Sequence, residues 1–212
     1  MTASFGVRLN AALSEAGLPL VDEATAGRFE AYLELLVRWN ERMNLTAIRN
    51  HDEILRRHFV ESIACAWAIP ENVLALLDFG SGAGFPGIPI ALCRPEMQVA
   101  LAESQGKKAA FLREAVRVTG ISATVHAGRA EAFAPGGFDC VALRAVDKMQ
   151  EAVEAGFGLV RAGGWLVVMT TAVELDSITG AVLGRVSWQE PVALPGSAGQ
   201  IIAIGQRGQS AE

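Results

Sequence analysis

The sequence predicts an α/β protein: a mostly parallel sheet covered by helices on both faces, preceded by a helical segment and finished by an antiparallel hairpin. Three observations carry this. Apolar residues recur at helical spacing through the first third of the chain, as in Phe29, Leu33, Leu36 and Val37. From about residue 73, short strand-like runs alternate with helical stretches, the order that builds a parallel sheet. After residue 185, RVSWQEPV and QIIAIGQ follow each other with only a Pro/Gly/Ser loop between them, which suits an antiparallel pair on the same sheet.

Taken in order, Leu9, Leu13 and Ala16 mark a first helix, which Gly17 and Pro19 separate from a second. WNERMNLTAI (39–48) ends that second helix with turn-prone asparagines, and HDEILRRHFVESIACAWAI (51–69) predicts another helix, closed by Pro70. Strands follow at 74–79, 98–103, 122–127, 138–143 and 163–170. Helices are expected at 86–93, 105–119, 147–160 and 173–182. The chain thus divides into a helical extension, residues 1–70, and one compact unit, 71–212.

Half of the 212 residues are hydrophobic and 19% are charged, enough for one sizeable core. The net charge of −5 excludes promiscuous nucleic-acid binding through the whole surface but leaves room for a local basic face. Cys65, Cys93 and Cys140 are too scattered for a metal site or a disulfide framework, so they read as small buried hydrophobes in a reducing compartment. MTASFGVRLNAALSEAG lacks the basic start and apolar run of a signal peptide, and no stretch is long and apolar enough to span a membrane. A cytoplasmic, metal-free protein, monomeric and without membrane contact, is expected.

The most informative stretch is LLDFGSGAGFPGIPIAL (76–92), a glycine loop between a strand and a helix. Ligands of open α/β sheets bind at such carboxyl ends. Gly82, Gly84 and Gly87 satisfy GxGxxG, which alone fits a dinucleotide as well. Asp78 changes the balance. A carboxylate at the mouth of the site would repel a pyrophosphate but welcome an ammonium group. Glu103 ends the next strand and suits both hydroxyls of a ribose. S-adenosylmethionine (SAM) satisfies both acids, whereas NAD satisfies only Glu103. Downstream, GRAEAF (128–133) follows the third strand, where backbone groups of Ala130 and Glu131 can read an adenine edge or simply start a helix.

WNERMNLTAI, RRHFVESI, LLDFGSGAGFPGIPIAL, AESQGKKAAFLREA, GRAEAF and VALRAV occur in the order and spacing of one family. From about residue 30 to 165 the chain resembles the bacterial small-subunit (16S) ribosomal RNA guanine-N7 methyltransferases, also called glucose-inhibited division protein B. The resemblance implies a Rossmann-like SAM-dependent methyltransferase sheet under an N-terminal helical cap. It implies that Asp78, Gly80, Gly82 and Gly84 surround the methionine part of SAM; Phe85 is expected to touch ligand from its own place in the glycine loop. Glu103 would hold the ribose, and Ala130 and Glu131 the adenine. His58 and Arg144 match polar positions around methyl transfer, and Lys108 and Arg129 match basic ones. Three positions depart from the family pattern: Glu61 replaces its usual Asp, Thr170-Thr171 replaces a Lys-Gly pair, and Gln200 replaces an Arg.

Charge supports an RNA partner, either small-subunit ribosomal RNA or the assembled subunit. Arg38, Arg42, Arg49, Arg56 and Arg57 outweigh the acids of 38–58, and Lys107, Lys108, Arg113, Arg117 and Arg129 outweigh Glu114 in 104–129. Lys107, Lys108, Arg129, Arg56 and Arg57 are the expected RNA contacts. Trp39, Tyr32 and Phe85 are candidates to stack on a base, the first two equally suited to the core. Guanine N7 carries a free lone pair, so in-line attack on the SAM methyl needs no general base. Arg144 and His58 are then the catalytic candidates, Arg144 positioning the base. A different RNA or small-molecule acceptor, an NAD-dependent oxidoreductase, and a non-catalytic SAM-binding regulator are the alternatives.

Overall fold

The computed structural model describes residues 3–197 and 199–209. The helical segment comprises α1 (Phe5–Glu15), α2 (Glu23–Asn40) and α3 (His51–Ile54), which runs through a π-helical turn (Leu55–Val60) into α4 (Glu61–Ala68). Asp22 caps α2, its side chain accepting from the amide of Thr25, and Asn50 caps α3 through the amides of Asp52 and Glu53. The expected single helix over 51–69 is therefore continuous but carries a wide turn in its middle. Alternation then follows: β1 (Ala75–Phe79), α5 (Gly87–Cys93), β2 (Gln98–Glu103), α6 (Gly106–Thr119), β3 (Ala123–Ala127), a 3₁₀ turn (Ala130–Ala132), β4 (Phe138–Arg144), α7 (Met149–Leu159), β5 (Val160–Thr171) and α8 (Leu175–Gly180). The chain closes with β6 (Val186–Trp188), β7 (Val192–Ala193) and β8 (Gln200–Arg207).

The strand order is β3-β2-β1-β4-β5-β8-β6, with β7 also on β8. Strands β1 to β5 are parallel, and β8 returns antiparallel to β5, in register from Trp165↔Gln206 to Thr171↔Gln200. The terminal hairpin is thus present, with β8 inserted between β5 and β6. The helix expected to reach residue 160 gives way to β5 at once, three residues before the predicted strand start.

Period-two alternation sorts the sheet's side chains onto two faces. Leu76, Val99, Leu101, Cys140 and Ala142 join one apolar cluster that also contains Phe5, Leu13, Phe29, Tyr32, Phe59 and Ile63 from the helical segment. Leu77, Ala100, Val141 and Leu143 face the other way, into a cluster with Val153, Phe157 and Ile178. Residues 3–70 therefore share one core with the sheet and form a layer over its first face. The cysteines are all free, and burial pushes the Cys65 and Cys93 thiols up to about 12, so they pack as hydrophobes. Among the described residues no helix is long and apolar enough to cross a membrane, and no cluster of His, Cys, Asp and Glu could hold a metal ion.

Candidate active site

At the carboxyl ends of β1, β2 and β4 the sheet opens into a cleft of about 720 Å³, between the glycine loop and the segment around Leu45–Ala47. Its size lies within the ~300–1,000 Å³ of small-molecule sites. Gly80, Gly82 and Gly84 adopt φ of +72°, +55° and +91°, a left-handed path that glycine follows without strain. The loop is tied down on every side. The amide of Ser81 donates to Ala102 O at 2.9 Å, and that of Gly84 to Ser81 O at 2.6 Å. The hydroxyl of Tyr32, on α2, donates to the carbonyl of Ala83, and the Phe85 ring packs between Tyr32, Phe59 and His58.

The glycines divide by role. Gly80 and Gly82 line the cleft, and a Cβ on Gly82 would meet nothing nearer than the carbonyl of Gly80 at 3.8 Å. Gly84 and Gly87 lie outside it. A Cβ on Gly84 would fall 2.5 Å from Ile88 and 2.7 Å from the Tyr32 hydroxyl, and one on Gly87 would fall 2.5 Å from Leu101 and 2.6 Å from Asp78. Two of the three glycines of the GxGxxG signal thus report protein packed on protein, which corrects the placement expected for Gly84.

Asp78 is corrected more fully. It does not stand at the mouth of the cleft. Strand parity turns its side chain with Leu76 toward the layer of helices, where it is 1% exposed and one oxygen accepts from the amide of Gly87 at 3.2 Å. Its other oxygen is buried with no partner within the protein, and burial raises its carboxyl to about 7. Asp78 supports the loop from beneath. Glu103 does reach the cleft. Its carboxylate accepts from Gly82 N at 3.0 Å and Gln105 N at 2.7 Å, which fixes its plane and leaves lone pairs free for a diol. Ala130, Glu131, Lys108 and Arg129 line the same side, Arg129 paired with Glu131 at 2.9 Å.

His58 and Arg144 close the opposite side. Arg144 ends β4 on the face of Ala142, pointing at the π turn. There the amide of Glu61 donates to the carbonyls of Arg56 and His58 and bypasses that of Arg57. The Arg57 carbonyl instead accepts from Arg144 Nη2 at 2.5 Å. Glu61, fully buried, accepts from the same nitrogen at 2.6 Å and from Arg57 Nε at 2.9 Å, while Arg144 Nη1 donates to Ser62 Oγ at 3.1 Å. Burial, the largest effect, holds the Glu61 carboxyl above its ordinary value, and the two guanidiniums beside it oppose that rise. π turns concentrate at functional sites, and here one frees a carbonyl to orient an arginine.

His58 stacks on Phe85 with ring centres 4.7 Å apart and contacts Thr46 Oγ1 through Nε2 at 2.7 Å. Burial and then the charges of Arg144 and Arg57 lower it to about 3, so it stays neutral. A neutral imidazole adds no repulsion to a cation in the cleft. Lys107 and Arg56 are exposed and do not line the cleft, and Arg57 is committed to Glu61. Tyr32 is fully buried in the core, and Trp39 donates its indole N–H to Glu114 at 2.9 Å. Thr170 and Thr171 both donate to Glu174, and Thr171 pairs with Gln200, so these departures from the family pattern are neighbours on the β5–β8 edge. Sequence reasoning missed Thr46 and Ser62 and took Glu61 only as a departure from the family pattern; the three hold His58 and Arg144. Thr46 lay inside MNLT and Glu61-Ser62 inside RRHFVESI, without any local sign of what they hold.

Sheet order, glycine loop and cleft together define a Rossmann-like methyltransferase fold. A solved T. thermophilus 16S rRNA methyltransferase, in complex with AdoMet and guanosine, superposes with a TM-score of 0.53 at 16% identity, covering 72% of this chain and 40% of that one. A family profile described as rRNA small subunit methyltransferase G matches residues 26–182. The ribosomal RNA small subunit methyltransferase G of Xanthomonas axonopodis pv. citri is 41% identical over 183 residues, 85% of each chain. That of Stenotrophomonas maltophilia (strain K279a) is 40% identical over 206 residues, 94% of this chain and 93% of its own. The chain belongs to the rRNA small subunit methyltransferase G family.

Proposed function

We propose that the protein transfers a methyl group from SAM to N7 of a guanine in small-subunit ribosomal RNA. The observation that carries this is the two-sided cleft. Gly80, Gly82, Glu103 and Ala130 offer a nucleoside cradle on one side, and a clamped Arg144 with a neutral His58 faces it from the other. The residues fit the cofactor: Glu103 has free lone pairs for a ribose diol, and Gly82 leaves the loop open toward the cleft. SAM held there would supply an electrophilic methyl on its sulfonium: attack by the N7 lone pair would release the carbon–sulfur electron pair to sulfur and leave the positive charge on the guanine ring.

No proton moves, so the protein's work is alignment and exclusion of water. Arg144 donates and never accepts, so it suits the O6 acceptor of guanine, leaves the N7 lone pair free to attack, and disfavours the N6 amino group of adenine. Its charge is offset by Glu61, which limits repulsion toward the developing cation. The RNA is expected against Lys108 and Arg129 at the cleft rim.

The deciding experiment is methyl transfer from labelled SAM to small ribosomal subunits from a strain lacking this gene, with mass spectrometry of the nucleosides. Label is expected as 7-methylguanosine in the small-subunit RNA. Label in another nucleoside would overturn the N7 assignment, and SAM binding without label would overturn the acceptor.

A further inference from the structure

The surfaces that flank the cleft differ in charge. On the α7–α8 side stand Asp147, Glu151, Glu154, Glu174 and Asp176, only partly balanced by Lys148 and Arg185. On the other side, α2 and α6 pack together and bring two basic segments, distant in sequence, onto one surface. Arg42, Lys107, Arg113 and Arg117 are exposed there, and none forms an ion pair among the described residues. The positive charge sits on α6 and just past the end of α2, since α2 itself carries Glu23, Glu30 and Glu34 against Arg28 and Arg38, and it favours an RNA path there over one along α7 and α8.

Within that basic surface lies a second hollow, of about 320 Å³, lined by Arg38, Trp39, Arg42, Met43 and Glu114. It adjoins the cleft through the chain itself, since Met43 lies two residues before Leu45, which lines the cleft. Glu114 takes the indole N–H of Trp39 at 2.9 Å and the Arg38 guanidinium at 3.2 Å. Those two bonds fix the indole, with Phe111 set edge-on at 5.7 Å, and offset the carboxylate's charge. What remains is a half-buried aromatic ring, a thioether and one uncommitted guanidinium. That set suits a base by apolar contact and its phosphate by charge.

We infer that this hollow is a second nucleotide subsite, which receives a base of the RNA strand flanking the methylated guanine, with Arg42 on its phosphate. The inference rests on the RNA methyltransferase reading and is tested separately from it.

The test is equilibrium binding of labelled small-subunit RNA and of unmethylated small subunits to the full chain. It compares wild type with Arg42→Glu, Trp39→Ala and Trp39→Phe. Arg28→Glu, an exposed charge reversal on α2 away from the hollow, is the control. Arg42→Glu and Trp39→Ala are expected to weaken RNA binding about tenfold or more, the scale of one lost base stack. Trp39→Phe should retain most of it, and SAM affinity should not move. Arg42→Ala should lower the slope of log affinity against log salt by about 1. Loss in Arg28→Glu equal to that in Arg42→Glu would mean that only net charge matters, and wild-type affinity in Arg42→Glu would mean that nothing binds there; either overturns the subsite. Methyl transfer is assayed in parallel. Wild type that binds RNA through these residues without methylating it sinks the proposed function and leaves the subsite standing. Methylation with an unchanged KM in the variants does the reverse.

Discussion

At the residue scale, the proposed function rests most heavily on Arg144. Three bonds hold it, to Ser62, Glu61 and the Arg57 carbonyl. Arg144→Ala is expected to reduce methyl transfer about 100-fold, the size of a misaligned reacting pair. SAM affinity, measured by calorimetry, should change little, and equal losses in both would remove Arg144 from substrate positioning. His58 makes a pH prediction. Its folded value of about 3 lies below its ordinary 6.5, so between them the unfolded chain binds the extra proton. Stability from keeping His58 neutral is therefore present above about 6.5 and lost as pH falls through that window. His58→Gln should flatten the fall in melting temperature between pH 6.5 and 4. Asp78 has the opposite sign. Raised to about 7, it stabilises below its ordinary 3.8 and loses that contribution as pH rises through 7. Asp78→Asn should raise the melting temperature at pH 8 and leave SAM affinity nearly unchanged. A large loss of SAM affinity would show that the carboxylate touches the ligand after all.

At the element scale, the glycine loop was legible in the sequence as a loop but not as a division of labour. Four glycines after a strand announced close approach, yet what approaches Gly84 and Gly87 is Ile88, Tyr32, Leu101 and Asp78, residues that only the fold brings near. Gly84→Ala combines a left-handed backbone with overpacking and should cost ~2–5 kcal/mol of stability in denaturant unfolding. Gly82→Ala should cost only ~1–2 kcal/mol, its main effect being weaker SAM binding. The same limit applies to Asp78. Parity along LLDF was readable, but which face was covered by helices was not. The π turn left no trace at all, because apolar spacing over 51–69 is almost the same with or without one extra residue in a turn.

At the scale of the whole molecule, alternation of strands and helices was legible because each crossover is local. The division at residue 70 was legible only as a change of pattern. Phe5, Leu13, Phe29, Tyr32 and Phe59 share a single apolar cluster with Ile88, Leu101, Phe111 and Ile202. A chain starting at residue 71 would expose that whole face of the sheet. It is expected to be insoluble or, by circular dichroism, to lack a cooperative thermal transition. A cooperative melt from residues 71–212 alone would mean that the layer is dispensable.

The turn at Leu55–Val60 also absorbs one residue with little change in rotation. An α-helix advances about 100° per residue. Removing one residue from LRRHFV would let α3 and α4 join as regular helix, with every backbone bond made and no apolar side chain lost. Five residues of α-helix sweep nearly the rotation that six sweep in the wide turn, so Glu61 and Ser62 would still face Arg144, but the helix's own bonds would take up the freed carbonyl. The helix would gain regularity while the guanidinium lost one of its three acceptors. Tolerance to a one-residue deletion is therefore expected to separate the integrity of the fold from that of the cleft.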